Sequence, residues 1–111
     1  MTQIPEITID EVDDLLGQGY VLLDVREVDE WNAGHAEVAI NIPLSELIER
    51  QDEIDPDAQI LVTCKAGGRS AKATEAMRSW GIDATNLAGG MLAWEAAQRS
   101  MVSDDGEPYV L

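Results

Sequence analysis

The sequence predicts an α/β domain built on a mainly parallel β-sheet, and two observations support this fold class. Short apolar segments with a strand pattern alternate along the chain with segments of helical spacing. The run YVLLDV at 20–25 is apolar up to Asp24, as is typical of a parallel strand buried on both faces. With 111 residues and 45% hydrophobic content, the chain is expected to form one domain, residues 1–111.

The elements of the first half follow from local patterns. Thr8 and Glu11 have the spacing of a capping box, which predicts a helix that starts here and ends at Gly17 and Gly19. The strand at 20–25 comes next. The later elements predicted for this half are a helical turn at 29–34, a strand at 38–43, a short amphipathic helix at 44–50 and a polar loop at 52–58.

In the second half, the β-rich segment QILVTC predicts a strand that ends at the only cysteine, Cys64. A glycine turn and a helix from about Ser70 to Trp80 follow, then a weaker strand at 82–89 and a final helix after Gly90. Residues 100–111 have no helical period, and they are expected either to pack as an extended tail or to fray. Ligands of parallel sheets bind beyond the carboxyl ends of the strands, where the turns DVRE, CKAGGRS and LAGG should meet.

Charge and composition exclude several classes of function. A net charge of -15 argues against nucleic acid as a partner. No segment approaches the ~20 apolar residues of a membrane helix, and the first residues lack a signal-peptide pattern, so a cytoplasmic location is expected. A single cysteine excludes an internal disulfide, a Cys-pair zinc site and a thioredoxin-like dithiol mechanism.

The turn after Cys64 has the composition of an anion site around a reactive thiol. No acidic residue falls between Ala58 and Thr74, although the chain contains 22 of them. Backbone N–H groups at the start of the following helix should favour a thiolate, and so should the cations Lys65, Arg69 and Lys72. The pKa of Cys64 is therefore predicted to be lowered. Gly67 and Gly68 would allow positive φ angles and a close approach of substrate.

The spacing within this turn separates two kinds of chemistry. Tyrosine and dual-specificity phosphatases need a cysteine, five residues and then an arginine, but that position here is Ser70. Arg69 follows Cys64 after only four residues, so the loop should be tighter and suit an electrophile smaller than a phosphate ester. Phosphate or arsenate chemistry is accordingly disfavoured. Lys65 and Arg69 are interpreted as anion contacts and Lys72 as a charge on the helix surface.

Taken together, the motifs resemble the rhodanese (thiosulfate sulfurtransferase) family in its small single-domain form. VLLDVREVDEWNAGH is similar to the family's first signature, INIP to the following strand, CKAGGRSA to the active-site loop and NLAGGMLAW to the closing motif. The segment GHAEVAINIP departs from the family's frequent GHIPGAINIP, which affects the turn after His35. The resemblance implies a five-stranded, mainly parallel sheet with helices on both faces.

The resemblance also implies a site and a mechanism. Cys64 would be the nucleophile that takes sulfur from thiosulfate or another donor, forms a persulfide and passes the sulfur to cyanide or a thiol. No metal or organic cofactor is required, and a sulfur-relay protein would be a suitable partner. The expected substrate-binding residues are the loop residues Lys65, Ala66, Gly67, Gly68 and Arg69, together with Arg26; Asp24 and Ser70 would support them.

Several residues admit two interpretations. Arg26 would bind the donor or brace the loop, and Asp24 would pair with Arg26 or cap loop amides. His35 is interpreted as structural, because an electrostatically formed thiolate needs no general base. Gly89 and Gly90 are expected to form a tight turn beside the site, with Met91 near its rim, and the three tryptophans to pack in the core or pocket wall. A rhodanese-like regulatory or binding domain remains the alternative function, and the physiological donor and acceptor are open.

Overall fold

A five-stranded parallel sheet forms the centre of the molecule, as expected. The computed structural model describes residues 3–104 and 106–111. The strands are β1 (Glu6–Ile7), β2 (Val21–Asp24), β3 (Ile40–Asn41), β4 (Gln59–Thr63) and β5 (Asp83–Leu87). Their order across the sheet is β1-β5-β4-β2-β3, and every pairing is parallel. The strand that leads to Cys64 is therefore central.

Helices cover both faces of this sheet. They are α1 (Val12–Gly17), α2 (Val28–Ala33), α3 (Gly68–Ser79) and α4 (Gly90–Ala96). Alternate residues of the central strands point to opposite faces, so Ile60 packs in the cluster that contains Met77 of α3, whereas Leu61 packs with Trp94 of α4. Among the described residues, no helix has the length and apolar character needed to cross a membrane.

Two local predictions about helices were wrong. Thr8 makes no side-chain cap; its carbonyl accepts the Glu11 N–H at 3.0 Å in a 3₁₀ turn, so that amide is already used. The helix predicted at 44–50 is replaced by a 3₁₀ turn at Leu44–Glu46 and further turns. The backbone of this segment uses i→i+3 hydrogen bonds, such as the one from the Leu47 N–H to the Leu44 carbonyl at 3.2 Å, which are those of the tighter 3₁₀ turn.

The segment after α4 forms an extended tail that packs back on the domain. Val102 and His35 exchange two backbone hydrogen bonds of 2.8 and 2.9 Å in an antiparallel bridge. Further along, the Tyr109 N–H donates to the Ala33 carbonyl at 3.1 Å. The tail therefore fixes the carboxyl end of α2 and His35, two residues beyond it.

A buried ion pair joins the end of β2 to α2. Arg26 Nη2 donates to Asp24 Oδ2 at 2.7 Å and to the Gly34 carbonyl at 2.8 Å, while Nη1 lies 3.4 Å from the Glu30 carbonyl. Both charged side chains are completely buried. The expected contact between Arg26 and substrate is therefore wrong, because its guanidinium is consumed by interior acceptors. The predicted pairing of Asp24 with Arg26 is observed.

Replacement of Arg26 is expected to destabilise the fold. Arg26→Met leaves the Asp24 carboxylate buried without its cation, which costs about 3–5 kcal/mol in the free energy of unfolding. Urea denaturation measures this loss, and Arg50→Met is the matched control because the ion pairs of Arg50 with Glu46 and Glu53 are partly exposed to solvent. The double variant Asp24→Leu/Arg26→Met should recover part of the loss. Equal stability of Arg26→Met and Arg50→Met would contradict the structural role of the pair.

Candidate active site

Cys64 lies directly after β4, at the carboxyl edge of the central strand, and only 1% of its surface is exposed. Asp24 ends the neighbouring strand β2, and the Val25 N–H donates to the Thr63 carbonyl at 2.9 Å, which extends the pairing up to the loop. The turns DVRE and CKAGGRS therefore meet at one edge of the sheet, as predicted. The cysteine is as buried as a structural thiol, so its hydrogen-bond partners decide its chemistry.

Hydrogen-bond donors surround the Cys64 sulfur. The Gly67 N–H donates to Sγ at 3.1 Å, and the Ser70 hydroxyl donates to it at 3.3 Å. Burial by itself raises the pKa of Cys64, but the Ser70 hydroxyl and the backbone N–H groups of Ser70, Gly67 and Ala66 outweigh it and lower the pKa. The predicted direction is therefore confirmed. The causes that lower it most are neutral donors, whereas the sequence pointed to cations as well.

Gly67 has the backbone conformation that the turn requires. Its φ is +106°, in the left-handed region, and a Cβ here would lie 3.3 Å from the Gly89 nitrogen. Gly68 does not use a positive φ; it begins α3, is exposed and has open space around the position of a Cβ. Of the two glycines, Gly67 shapes the turn and Gly68 leaves room beside it. Ala66 is also exposed, next to Gly67.

The start of α4 holds the other side of the loop backbone. The Met91 N–H donates to the Cys64 carbonyl at 2.8 Å, and the Leu92 N–H donates to the Lys65 carbonyl at 3.0 Å. Gly90 permits this approach, because a Cβ at φ +53° would clash with the Cys64 carbonyl and lie 2.7 Å from the Lys65 carbonyl oxygen. The tight turn predicted at Gly89 and Gly90 is present. Met91 contributes its amide, while its side chain is buried in the core rather than at a rim.

Asn86 supports the turn from β5, and sequence reasoning missed it. Its side-chain amide donates to the Gly67 carbonyl at 3.3 Å and to Glu6 Oε2 at 2.8 Å. The side chain is buried, with 1% of the residue exposed. The available signal was an asparagine inside the strand predicted at 82–89, since asparagine is uncommon in strands and needs hydrogen-bond partners where it is buried.

Arg69 is bound by a carboxylate that the sequence did not connect to it. Its Nη1 and Nη2 donate to Glu30 Oε1 and Oε2 at 2.7 and 2.8 Å. This pairing raises the pKa of Arg69, and the hydrogen bonds from Arg69 hold the pKa of Glu30 below its ordinary value although burial opposes them. The two residues are 39 positions apart in the chain. The loop contains no acidic residue, so the carboxylate that binds Arg69 comes from α2.

The two lysines differ from the arginines in their electrostatic partners. Within 3–104 and 106–111, each of the five arginines has a carboxylate within 4.0 Å and neither Lys65 nor Lys72 does. Lys65 is half-buried beside Cys64, and Lys72 is exposed on α3. Lys65 is thus the loop cation whose charge is uncompensated in the described part of the chain.

His35 lies away from the chemistry described above. Its ring stacks on Trp31, with ring centroids 3.6 Å apart and planes at 7°. Nδ1 lies 2.8 Å from the Trp31 carbonyl, while the backbone pairs with Val102. These contacts agree with the structural interpretation of His35. Trp94 is buried in the core, and Trp80 packs against the core on the other face.

The fold and the site together define an α/β protein with an activated thiol at the edge of its sheet. A family model described as "Rhodanese-like domain" matches residues 8–97. A rhodanese-related protein from Thermoplasma volcanium has a similar structure, with a TM-score of 0.83 and 32% identity over 88% of this chain and 97% of that one. The chain belongs to the rhodanese-like family.

Curated relatives are similar over different shares of their length. Thiosulfate sulfurtransferase 18 of Arabidopsis thaliana is 31% identical, over 96% of this chain and 89% of the relative. The uncharacterized protein YqhL of Bacillus subtilis is 40% identical, over 66% of this chain. The chain spans only 59% of the length of YqhL. One of these relatives is named as a sulfurtransferase, which supports transferase chemistry at the level of the family.

Gly90→Ala is expected to disturb the loop as well as the fold. A left-handed alanine costs about 1–2 kcal/mol by itself, and here the methyl group also displaces the Cys64 and Lys65 carbonyls. Gly81→Ala is the control, because Gly81 has φ +85° and open space. The Gly90 variant should unfold at lower urea concentration than the control and titrate its thiol at higher pH. An unchanged thiol titration in Gly90→Ala would contradict the bracing role of α4.

Removal of the Ser70 hydroxyl is expected to move the Cys64 titration to higher pH. Ser70→Ala deletes the side-chain donor that lowers the pKa of Cys64 most, so the thiolate fraction at neutral pH decreases. Thiolate ultraviolet absorbance measured against pH reports the change without a reagent having to reach the buried sulfur. Ser79→Ala is the control on the same helix, since its hydroxyl donates to the Ala76 carbonyl instead. Superimposable curves for Ser70→Ala and the wild type would refute the assignment.

Proposed function

We propose that this protein is a sulfurtransferase that carries sulfane sulfur as a persulfide on Cys64. The observation that carries the proposal is the environment of the Cys64 sulfur, which accepts hydrogen bonds from Gly67, within the turn formed by residues 64–69, and from Ser70 directly after it. The similarity to a named thiosulfate sulfurtransferase over nearly the whole chain supports the same chemistry. The donor class is a small sulfur compound such as thiosulfate or a persulfide.

The first step is nucleophilic attack by the Cys64 thiolate on the outer sulfur of the donor. A bond forms between Sγ and that sulfur, the S–S bond of the donor breaks, and its electron pair leaves with sulfite when the donor is thiosulfate. The negative charge then resides on the outer sulfur of the Cys64 persulfide. The N–H groups of Ala66 and Gly67 are close enough to stabilise such an anion, since they already stabilise the thiolate.

In the second step, an acceptor takes the outer sulfur and regenerates the thiolate. Cyanide would give thiocyanate, and a thiolate would give a new persulfide. The chain contains one cysteine, so the acceptor thiol must belong to another molecule, such as a sulfur-relay protein. Lys65 is the proposed cation for anionic donors, and the exposed Ala66 and Gly68 border the approach to the sulfur.

Phosphatase chemistry fits this loop less well. The arginine of the loop is bound through both terminal nitrogens to Glu30, and the residue after it is Ser70. A phosphoryl group needs several donors around its equatorial oxygens, and a bidentate carboxylate competes directly for this guanidinium. The short turn instead suits a single sulfur atom that would bond to the Cys64 thiolate.

Intact mass spectrometry tests the proposal. Wild-type protein treated with thiosulfate is expected to gain one sulfur atom, and subsequent cyanide should remove it and yield thiocyanate. Cys64→Ser is the matched control and should gain nothing, because the chain has no other cysteine. If the wild type gains no sulfur from thiosulfate or from a hydropersulfide, the sulfurtransferase proposal fails and a binding role becomes the better reading.

A further inference from the structure

Glu30 binds the guanidinium of Arg69, the last residue of the turn formed by residues 64–69. The two Arg69–Glu30 hydrogen bonds of 2.7 and 2.8 Å form a bidentate pair, which is the strongest geometry for this interaction. The Glu30 side chain is only 14% exposed, whereas that of Arg69 is 35% exposed. The carboxylate is therefore the more enclosed partner, and little of its charge is screened by water.

Other contacts hold Glu30 in this position. The Glu27 N–H donates to Glu30 Oε1 at 3.1 Å, as part of a capping box at the start of α2. The Glu27 carboxylate accepts hydrogen bonds from the Ser45 hydroxyl and also acts electrostatically on Arg69. Two carboxylates thus surround one arginine, and both are fixed by the same cap.

The charge available to an incoming anion is correspondingly small. Cys64 relies mainly on neutral donors, and the positive charge of Arg69 is compensated by Glu30. Lys65 is the remaining loop cation without a carboxylate partner among the residues that the structure describes. Thiosulfate brings two negative charges and three oxygens that need donors. A hydropersulfide with a neutral tail brings at most one negative charge, and that charge is on the sulfur that the turn would receive.

We infer that Glu30 is a specificity-determining residue that, by neutralising Arg69, favours hydropersulfide donors over dianionic donors such as thiosulfate. The inference rests on the proposed sulfur transfer. For the favoured class, Sγ bonds to the outer sulfur of R–S–SH, the S–S bond breaks, and R–S⁻ leaves with the electron pair. The Cys64 hydropersulfide keeps the proton or releases it to solvent, so atoms and charge balance.

Glu30→Gln separates the charge of Glu30 from its structural role. Glutamine still suits the third position of the helical cap and still accepts a hydrogen bond from Arg69, but it frees the positive charge. The control Glu37→Gln removes one exposed carboxylate outside this cluster and changes the net charge equally. Each protein is loaded with thiosulfate or with 2-hydroxyethyl hydropersulfide, and the rate at which Cys64 gains sulfur is followed by intact mass over a range of donor concentrations.

The ratio of the thiosulfate to the hydropersulfide loading rate is expected to rise about tenfold in Glu30→Gln, as one unit charge close to a dianion suggests. The gain should come from a lower half-saturating thiosulfate concentration, shrink with added sodium chloride, and disappear in Glu30→Gln/Arg69→Met. A structural defect would lower the loading rate with both donors and leave the ratio of the two rates unchanged. Glu30→Ala, which also removes the charge, replaces Glu30→Gln in the test if the latter does not fold.

Two results would overturn the inference. One is a change of less than about threefold in the ratio of loading rates in Glu30→Gln, which is too small for the unit charge of Arg69 at the end of the turn. The other is an equal rise in Glu37→Gln, which would attribute the effect to net charge alone. If neither donor loads sulfur on the wild type, the failure lies in the proposed function and not in the role of Glu30.

Discussion

The Met91 and Leu92 N–H groups, in the first turn of α4, bind the carbonyl groups of Cys64 and Lys65. The thiolate site depends on these two hydrogen bonds. A peptide unit points its N–H and its carbonyl in opposite directions, so fixing the carbonyls on one side leaves the amides of the turn free to face the sulfur. Gly90 allows α4 to come this close, and Asn86 donates to the Gly67 carbonyl, which also accepts the Ala71 N–H. The neighbouring position of β5 and β4 in the sheet brings both supports to the loop.

The site shows how a very acidic protein stabilises an anion. Each arginine forms an ion pair with a carboxylate. Arg69, which ends the loop, is paired with Glu30 in this way. Hydrogen-bond donors carry no net charge, so the surrounding carboxylates cannot neutralise them as they neutralise cations. Dipoles oriented by the backbone therefore stabilise a thiolate here largely independently of the net charge of -15.

Local sequence patterns predicted the central strands and the position of the cysteine turn well, because these depend on short-range features. The apolar runs that become β2 and β4 are continuous, and the glycine turn follows Cys64 directly. β1 is a two-residue strand without a detectable period, so the local pattern did not indicate it, although the family resemblance implied five strands. The partners Glu30 and Asn86 were missed because tertiary packing alone brings them to the loop. Of the two interpretations of Arg26, the substrate contact conflicts with its complete burial, which cannot be inferred from its position after a strand.

The dependence of the loop on α4 links the lowered pKa of Cys64 to the folding of the whole domain. Met91 lies far beyond Cys64 in the chain, so the amides can be oriented only after β5 and α4 have docked. An unfolded or newly synthesised chain carries an ordinary thiol, and the lowered pKa belongs to the native state alone. By linkage, the ionised sulfur adds stability above the pKa of the unfolded thiol, and this stability is lost as pH falls through the lower, native pKa. The lowered pKa of the Cys64 thiol therefore exists only when the structure that shelters this sulfur is complete.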